Sequence, residues 1–184
     1  MAHYKPRLSK ENFSEYLKLG LALKITKEGL QGIVEKETND FHCTILREIS
    51  GKQHCSECRI ENILECPTTG LCSPKHCSFH SSSLRQPRQC PNDCCNIIRD
   101  KIRENFRYYE HGVLEPSWSN TNAELWTKTP FQVMKCYLPR SEYKAVGTIE
   151  DVDLNGLISI IRNNKRFDKI VSDDTKENDI IYFK

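Results

Sequence analysis

The chain has 184 residues, with 27 Lys and Arg against 25 Asp and Glu for a formal net charge of +2. That length accommodates one domain with a core of its own. The near balance of charge excludes a basic nucleic-acid tail and a polybasic membrane anchor, leaving at most a small RNA-binding face. No apolar run approaches the ~20 residues of a membrane span. Residues 1–10 lack the apolar stretch of a secretory signal, so an intracellular location, cytoplasmic or nuclear, is expected.

Residues 10–49 read as two helices. Ser9 is placed to cap the first, where Phe13, Leu17 and Leu21 recur every four residues. Thr26 is placed to cap the second, where Leu30, Val34, Phe41 and Ile45 share a face. Residues 50–94 carry Pro67, Pro74, Pro87, the run Ser81-Ser82-Ser83 and little apolar periodicity. A loop of that length inside a compact domain needs something to organise it. Helical spacing returns with Ile98, Ile102 and Phe106. An irregular stretch holding Gly112, Pro116, Trp118 and Trp126 follows. Thr129-Pro130 marks a helix start, with Phe131, Met134 and Leu138 on one face. Thr148 to Asp151 resembles a capping box with Asp for the usual Glu, ahead of the amphipathic stripe Leu154, Leu157, Ile158 and Ile161. Residues 175–184 read as the start of a last helix, inside which the sequence stops. Strand signals are sparse, and the expected class is all-α.

Ten cysteines stand at 43, 55, 58, 66, 72, 77, 90, 94, 95 and 136. Eight fall between 55 and 95, which in a reducing compartment points to metal before disulfides. Zinc takes four thiolate or imidazole donors in a tetrahedron, and short knuckles supply them in pairs. The spacing offers Cys55-x2-Cys58, Cys72-x4-Cys77 and Cys90-x3-Cys94, with Cys95 adjacent. The best four-ligand set is Cys72 and Cys77 with Cys90 and either Cys94 or Cys95; spacing alone favours Cys94. A second set is available from Cys55, Cys58 and Cys66 with His80 or His76; His54 is too close to Cys55. Four thiolates leave no open position for water, so the ion, one or two of them, is expected to be structural. Cys43 and Cys136 read as ordinary buried residues.

Other groups have competing readings. His42 reads as a satisfied interhelical histidine. Trp118 and Trp126 read as core pins before base-stacking platforms. Arg103, Arg107, Tyr108, Tyr109 and His111 mix basic and aromatic side chains, as a single-stranded RNA site would, but a solvated helix face is the default. There is no Gly-rich phosphate loop, no serine elbow and no Cys-His catalytic pair.

Glu15-Tyr16, Lys18, Gly20, the run Leu30 to Val34, Glu37 and Phe41-His42 form the first part of an ordered set. It continues through the Cys pairs, Cys95 to Ile102, Trp118 to Asn120, Trp126, Phe131 to Lys135, Tyr137 to Pro139 and Leu157 to Asn163. From about residue 11 to 170 this set resembles the family of uncharacterised vertebrate proteins called chromosome X open reading frame thirty-eight. That family in turn resembles HEPN domains, helical bundles also seen in the DAZ-interacting zinc-finger ubiquitin ligase. The resemblance implies a helical bundle with a cysteine-containing insertion, and homodimers, and it favours Cys95 over Cys94 as the ligand. HEPN ribonucleases carry an Arg, four to six residues, then a His on a late helix. After His111 this chain has no histidine. Arg47 and His54 have the spacing but straddle Gly51 and a helix end.

The expected organisation is a helical hairpin over 1–49, a cysteine-rich zinc-binding insertion over 50–95 and the remaining helices over 96–184. The expected function is a non-enzymatic, zinc-stabilised module that binds protein partners or RNA, without a membrane or small-molecule substrate. Two alternatives stand beside it. One is a metal-independent ribonuclease whose motif lies past Lys184. The other is an interaction domain of a ubiquitin-ligase or innate-immune protein.

Overall fold

The computed structural model describes residues 10–52, 55–64, 90–109, 114–140 and 143–168. These are all-helical: α1 spans Lys10–Glu48, α2 Ile60–Ile63, α3 Cys94–Asn105, α4 Pro130–Met134 and α5 Leu154–Asn163, joined by short 3₁₀ turns. The only strand-like pairing among the described residues is a single antiparallel bridge from Phe106 to Asn164. No helix of the described residues is long and apolar enough to cross a membrane.

The expected hairpin at the N-terminus is one continuous helix. Thr26, expected to cap a second helix, instead turns its hydroxyl back to the Ala22 carbonyl at 2.9 Å, which lets the helix run on. Gly20 and Gly29 have open space around them and demand no break. The two halves of α1 differ. In the second half Val34, Thr38, Phe41, His42 and Ile45, with Ile49 just past the helix end, are buried on a single face. That face packs on α4 and α5. In the first half Phe13, Tyr16, Leu17, Leu19, Leu21, Leu23 and Ile25 are all about half exposed or more. Five of these sit at every second position from Leu17 to Ile25. On a helix alternate residues point about 200° apart, so no one neighbour could cover them all.

The core closes around Tyr137. Its ring meets Phe41 edge-on at 6.4 Å and Phe106 at 6.1 Å, and its hydroxyl donates to the Ile102 carbonyl at 3.1 Å. One buried side chain thus joins α1, α3 and the 3₁₀ turn Lys135–Tyr137. Pro130 opens α4 behind Thr129, as the spacing predicts, and Phe131, Gln132, Val133 and Met134 are all buried. Trp118 and Trp126 are core pins: they lie 6.1 Å apart, and their indole N–H groups donate to Glu115 and to the Thr121 hydroxyl. The start of α5 differs from expectation. Thr148 does bond Asp151, but in a turn of its own. The capping residue is Asp153, whose Oδ1 accepts from the Gly156 N–H and from the Tyr143 hydroxyl, both at 2.7 Å.

Arg103, Arg107 and Tyr109 are occupied internally. Arg103 pairs with Glu115 and stacks over the rings of Tyr109 and Trp118. Arg107 pairs with Asp168 and donates to the Arg162 carbonyl. The expected helix over 175–184 lies outside the described residues.

Candidate metal centre

Three short segments bring five thiols together. Cys55 and Cys58 precede α2. Cys90 precedes α3, and Cys94 and Cys95 form the first turn of α3. The turn from Cys90 into the helix is tight. The Asp93 N–H reaches back to the Cys90 carbonyl at 2.9 Å, and Asp93 itself adopts the left-handed conformation at φ 59°. Asp tolerates that region better than most side chains because its short carboxylate bonds locally; here it accepts from Asn96 at 3.1 Å and pairs with Lys52 at 3.5 Å. The result folds Cys90 back over the α3 N-terminus. Arg99 then donates to the Ile63 carbonyl at 2.8 Å, fastening α2 to α3, and Lys101 pairs with Glu48 at 3.1 Å, fastening α3 to the end of α1.

The Sγ atoms of Cys55, Cys90, Cys94 and Cys95 all lie within 4.8 Å of one another. The Cys90–Cys94 and Cys94–Cys95 separations are both 3.9 Å. A disulfide needs about 2.05 Å, and these are free thiols. A tetrahedral ion with Zn–S bonds of about 2.3 Å has sulfur–sulfur edges of about 3.8 Å, which the Cys90–Cys94 and Cys94–Cys95 edges match and the 4.8 Å bound on the others approaches. All five thiols are buried. An all-sulfur, tetrahedral donor set belongs to zinc or to iron. An iron–sulfur cluster, which shares its four thiolates among two or four irons, would hold at least some of them farther apart.

Electrostatics distinguish the thiols. Burial alone would raise Cys90. The backbone N–H groups of Cys95 and Asn92, with the Cys55 and Cys58 thiols, outweigh it and bring Cys90 down to about 7. Such N–H bonds, at the positive end of a helix, stabilise a thiolate. Burial, then the Cys55 and Cys90 neighbours, push Cys58 up to about 12. Burial and the surrounding thiols hold Cys95 far above the usual thiol range, and burial raises Cys94. In a cluster of five, not every thiol can ionise without a cation to offset the charge.

The sequence reading placed these cysteines in two sets. The structure brings Cys55, from the second set, together with Cys90 and Cys95 from the first. Cys94, the alternate, lies inside the cluster beside Cys95, and Cys58 adjoins through Cys55 and Cys90. Cys66, Cys72, Cys77, His54, His76 and His80 lie outside the described residues. Cys136 is buried as expected, but Cys43 is exposed, on the side of α1 away from the core.

This ordered set of residues has known counterparts. The sequence model of a family described as "Domain of unknown function (DUF4559)" matches residues 7–183. The chain belongs to the DUF4559 family. It is also 26% identical over 175 residues to the mouse protein named "Uncharacterized protein CXorf38 homolog", an alignment covering 95% of this chain and 47% of that relative. The chain therefore spans about half the length of the curated relative it matches. No solved structure matches it. Within this DUF4559 chain the thiol cluster is the one candidate metal site among the described residues.

Proposed function

We propose that this chain is a non-enzymatic helical module that is stabilised by a structural zinc ion and works by binding other macromolecules. The observation that carries the reading is the convergence of four thiols within 4.8 Å of one another, with the Cys90–Cys94 and Cys94–Cys95 edges at 3.9 Å, close to those of one tetrahedral ion. Cys55, Cys90, Cys94 and Cys95 would hold the ion, with Cys58 at hand as a fifth thiol. The ion would supply a cross-link between the segment before α2 and the first turn of α3, and four thiolates would leave no position for a reacting water. The body is read as HEPN-like on the ordered resemblance of its residues. The ribonuclease activity of that class is not carried over, because the one Arg-x4–6-His spacing in residues 1–184, Arg47 to His54, straddles Gly51 and the end of α1. His42, the one described histidine, is spent on a core carbonyl. Protein partners are favoured over RNA. Of the basic and aromatic side chains that would suit single strands, Arg103 and Arg107 are paired internally, Tyr108 is exposed and His111 lies outside the described residues, while the first half of α1 presents apolar side chains to solvent.

Native mass spectrometry of protein produced without added metal, beside a denatured control, tests the reading. One bound zinc with unbridged thiols is expected. Metal-free protein, lighter by two hydrogens per disulfide, would overturn it. Saturable cleavage of RNA by the zinc-loaded chain would overturn the non-enzymatic part separately.

A further inference from the structure

The first half of α1 carries a second signal, independent of the metal. The run Leu17-Lys18-Leu19-Gly20-Leu21-Ala22-Leu23-Lys24-Ile25 has the same character in both directions about Leu21. On the helix the symmetry becomes a surface. Ser14, Leu17, Leu21, Ile25 and Glu28 follow one another at steps of three, four, four and three residues, so they form one stripe that is itself symmetric about Leu21. Lys18 and Lys24 flank it at equal distances on opposite sides. The stripe is open: Leu17 is 55% exposed, Leu21 59% and Ile25 59%. It is also turned roughly a third of a turn away from the face that carries Val34, Phe41 and Ile45 into the core. The described body of the chain lies on that other side.

We propose that this stripe pairs with the same stripe of a second copy, the two helices antiparallel across a two-fold axis at Leu21. A two-fold interface must be complementary to itself, and a palindromic stripe meets that condition. Leu21 packs on its own counterpart. Leu17 lies level with Ile25 of the second copy at both ends. Ser14 lies level with Glu28 of the second copy, while Lys18 and Lys24, paired with Glu15 and Glu28 of their own helix, stay at the rim. The three apolar side chains offer on the order of 300 Å² per chain, well under the ~800 Å² per partner of a standard interface. Pairing on the order of 10–100 µM is therefore expected, not a permanent dimer.

Sedimentation equilibrium of the full chain across that concentration range tests the pairing, with zinc content and helicity checked in parallel. A reversible monomer–dimer equilibrium is expected, and Leu21→Glu should weaken it at least tenfold. Because position 21 meets itself, an equimolar mixture of Leu21→Glu and Leu21→Lys chains should dimerise again. That rescue excludes a mere folding defect. A monomer at every concentration would overturn the proposal, as would a dimer indifferent to Leu21→Glu. Amide protection over 17–25 in a monomer would also overturn it, by showing the stripe covered from within the chain. Zinc binding could stand or fall without altering any of these outcomes.

Discussion

His42 donates its Nε2–H to the carbonyl of Trp126 at 2.8 Å, across 84 residues of sequence. A carbonyl only accepts, so this contact fixes the tautomer: Nε2 carries the proton. It also joins the buried face of α1 to the irregular segment that leads into α4. Burial lowers the His42 pKa below its ordinary 6.5, and the Trp126 bond opposes this only in part. Just below pH 6.5 the unfolded chain therefore binds a proton that the folded chain refuses. Stability should be level above that pH and should fall as pH drops below it, by at most about 1.4 kcal/mol per pH unit from this group. Urea unfolding from pH 8 to 5, compared between the native chain and His42→Gln, isolates the contribution. Zinc content must be followed at each pH, because acid also protonates thiolates. An equal pH dependence in both proteins would refute the assignment.

The thiol cluster makes a prediction that separates geometry from spacing. Replacing Cys55, Cys90 or Cys94 by Ser should each reduce zinc occupancy sharply and lower the melting temperature. Cys43→Ser and Cys136→Ser should each leave the zinc content at one ion. Cys72→Ser and Cys77→Ser decide between the two ligand sets: retention of the ion in both assigns the site to the cluster seen here, and loss in both assigns it to the set that spacing favours. A competition titration with a chromogenic chelator reads each result.

These outcomes bear on how much was visible in the sequence. The α3 face was legible because Ile98, Ile102 and Phe106 repeat at helical intervals, and so was Thr129-Pro130, whose local chemistry fixes the start of α4. The undivided α1 was not legible. Thr26 can cap a helix or bond back within one, and nothing local decides which. Nor was the cap of α5, because Thr148 and Asp153 are equally good capping residues and Tyr143 supports only the second. The sequence pointed to Cys90 and Cys95 as partners. It could not place Cys55 with them, because contact between distant knuckles depends on how α2 and α3 are fastened. The Arg99 bond to the Ile63 carbonyl that does this has no sequence signature.

Lys135 has only 1% of its surface exposed, and its ammonium donates to the carbonyls of Lys144 at 2.8 Å and Val146 at 2.9 Å. It lies 5.9 Å from the centre of the Phe131 ring. Burial lowers its pKa, which marks the cost of keeping the charge there. Lys135→Met would keep the stem's volume and remove that cost, but it would leave both carbonyls without this donor. The lost bonds should prevail, for a net destabilisation of about 1–3 kcal/mol. The loss should be local as well: amide exchange over residues 143–146 should accelerate more than exchange in α5. A variant as stable as the native chain would show that these carbonyls find water instead.

Gly156 offers the most direct test of packing. A Cβ at this position would lie 2.5 Å from Val152 Cγ1 and 3.0 Å from Tyr143 Cε1. Val152 is fully buried and Tyr143 nearly so, and the Tyr143 hydroxyl is held by Asp153, so neither ring nor branch can swing aside cheaply. The Gly156 N–H is also the donor that Asp153 caps. Ala is ordinarily the better helix residue by about 1 kcal/mol. Here the clash should reverse that preference, and Gly156→Ala should cost about 1–3 kcal/mol. For a chain of this size that is a fall of roughly 2–12 °C in melting temperature. Val152→Ala in the same background should recover part of the loss by removing the nearest atom, although alone it would be destabilising by opening a cavity. Such opposite effects of one substitution in two backgrounds would establish that the two side chains compete for one space. Simple additivity would place the strain elsewhere.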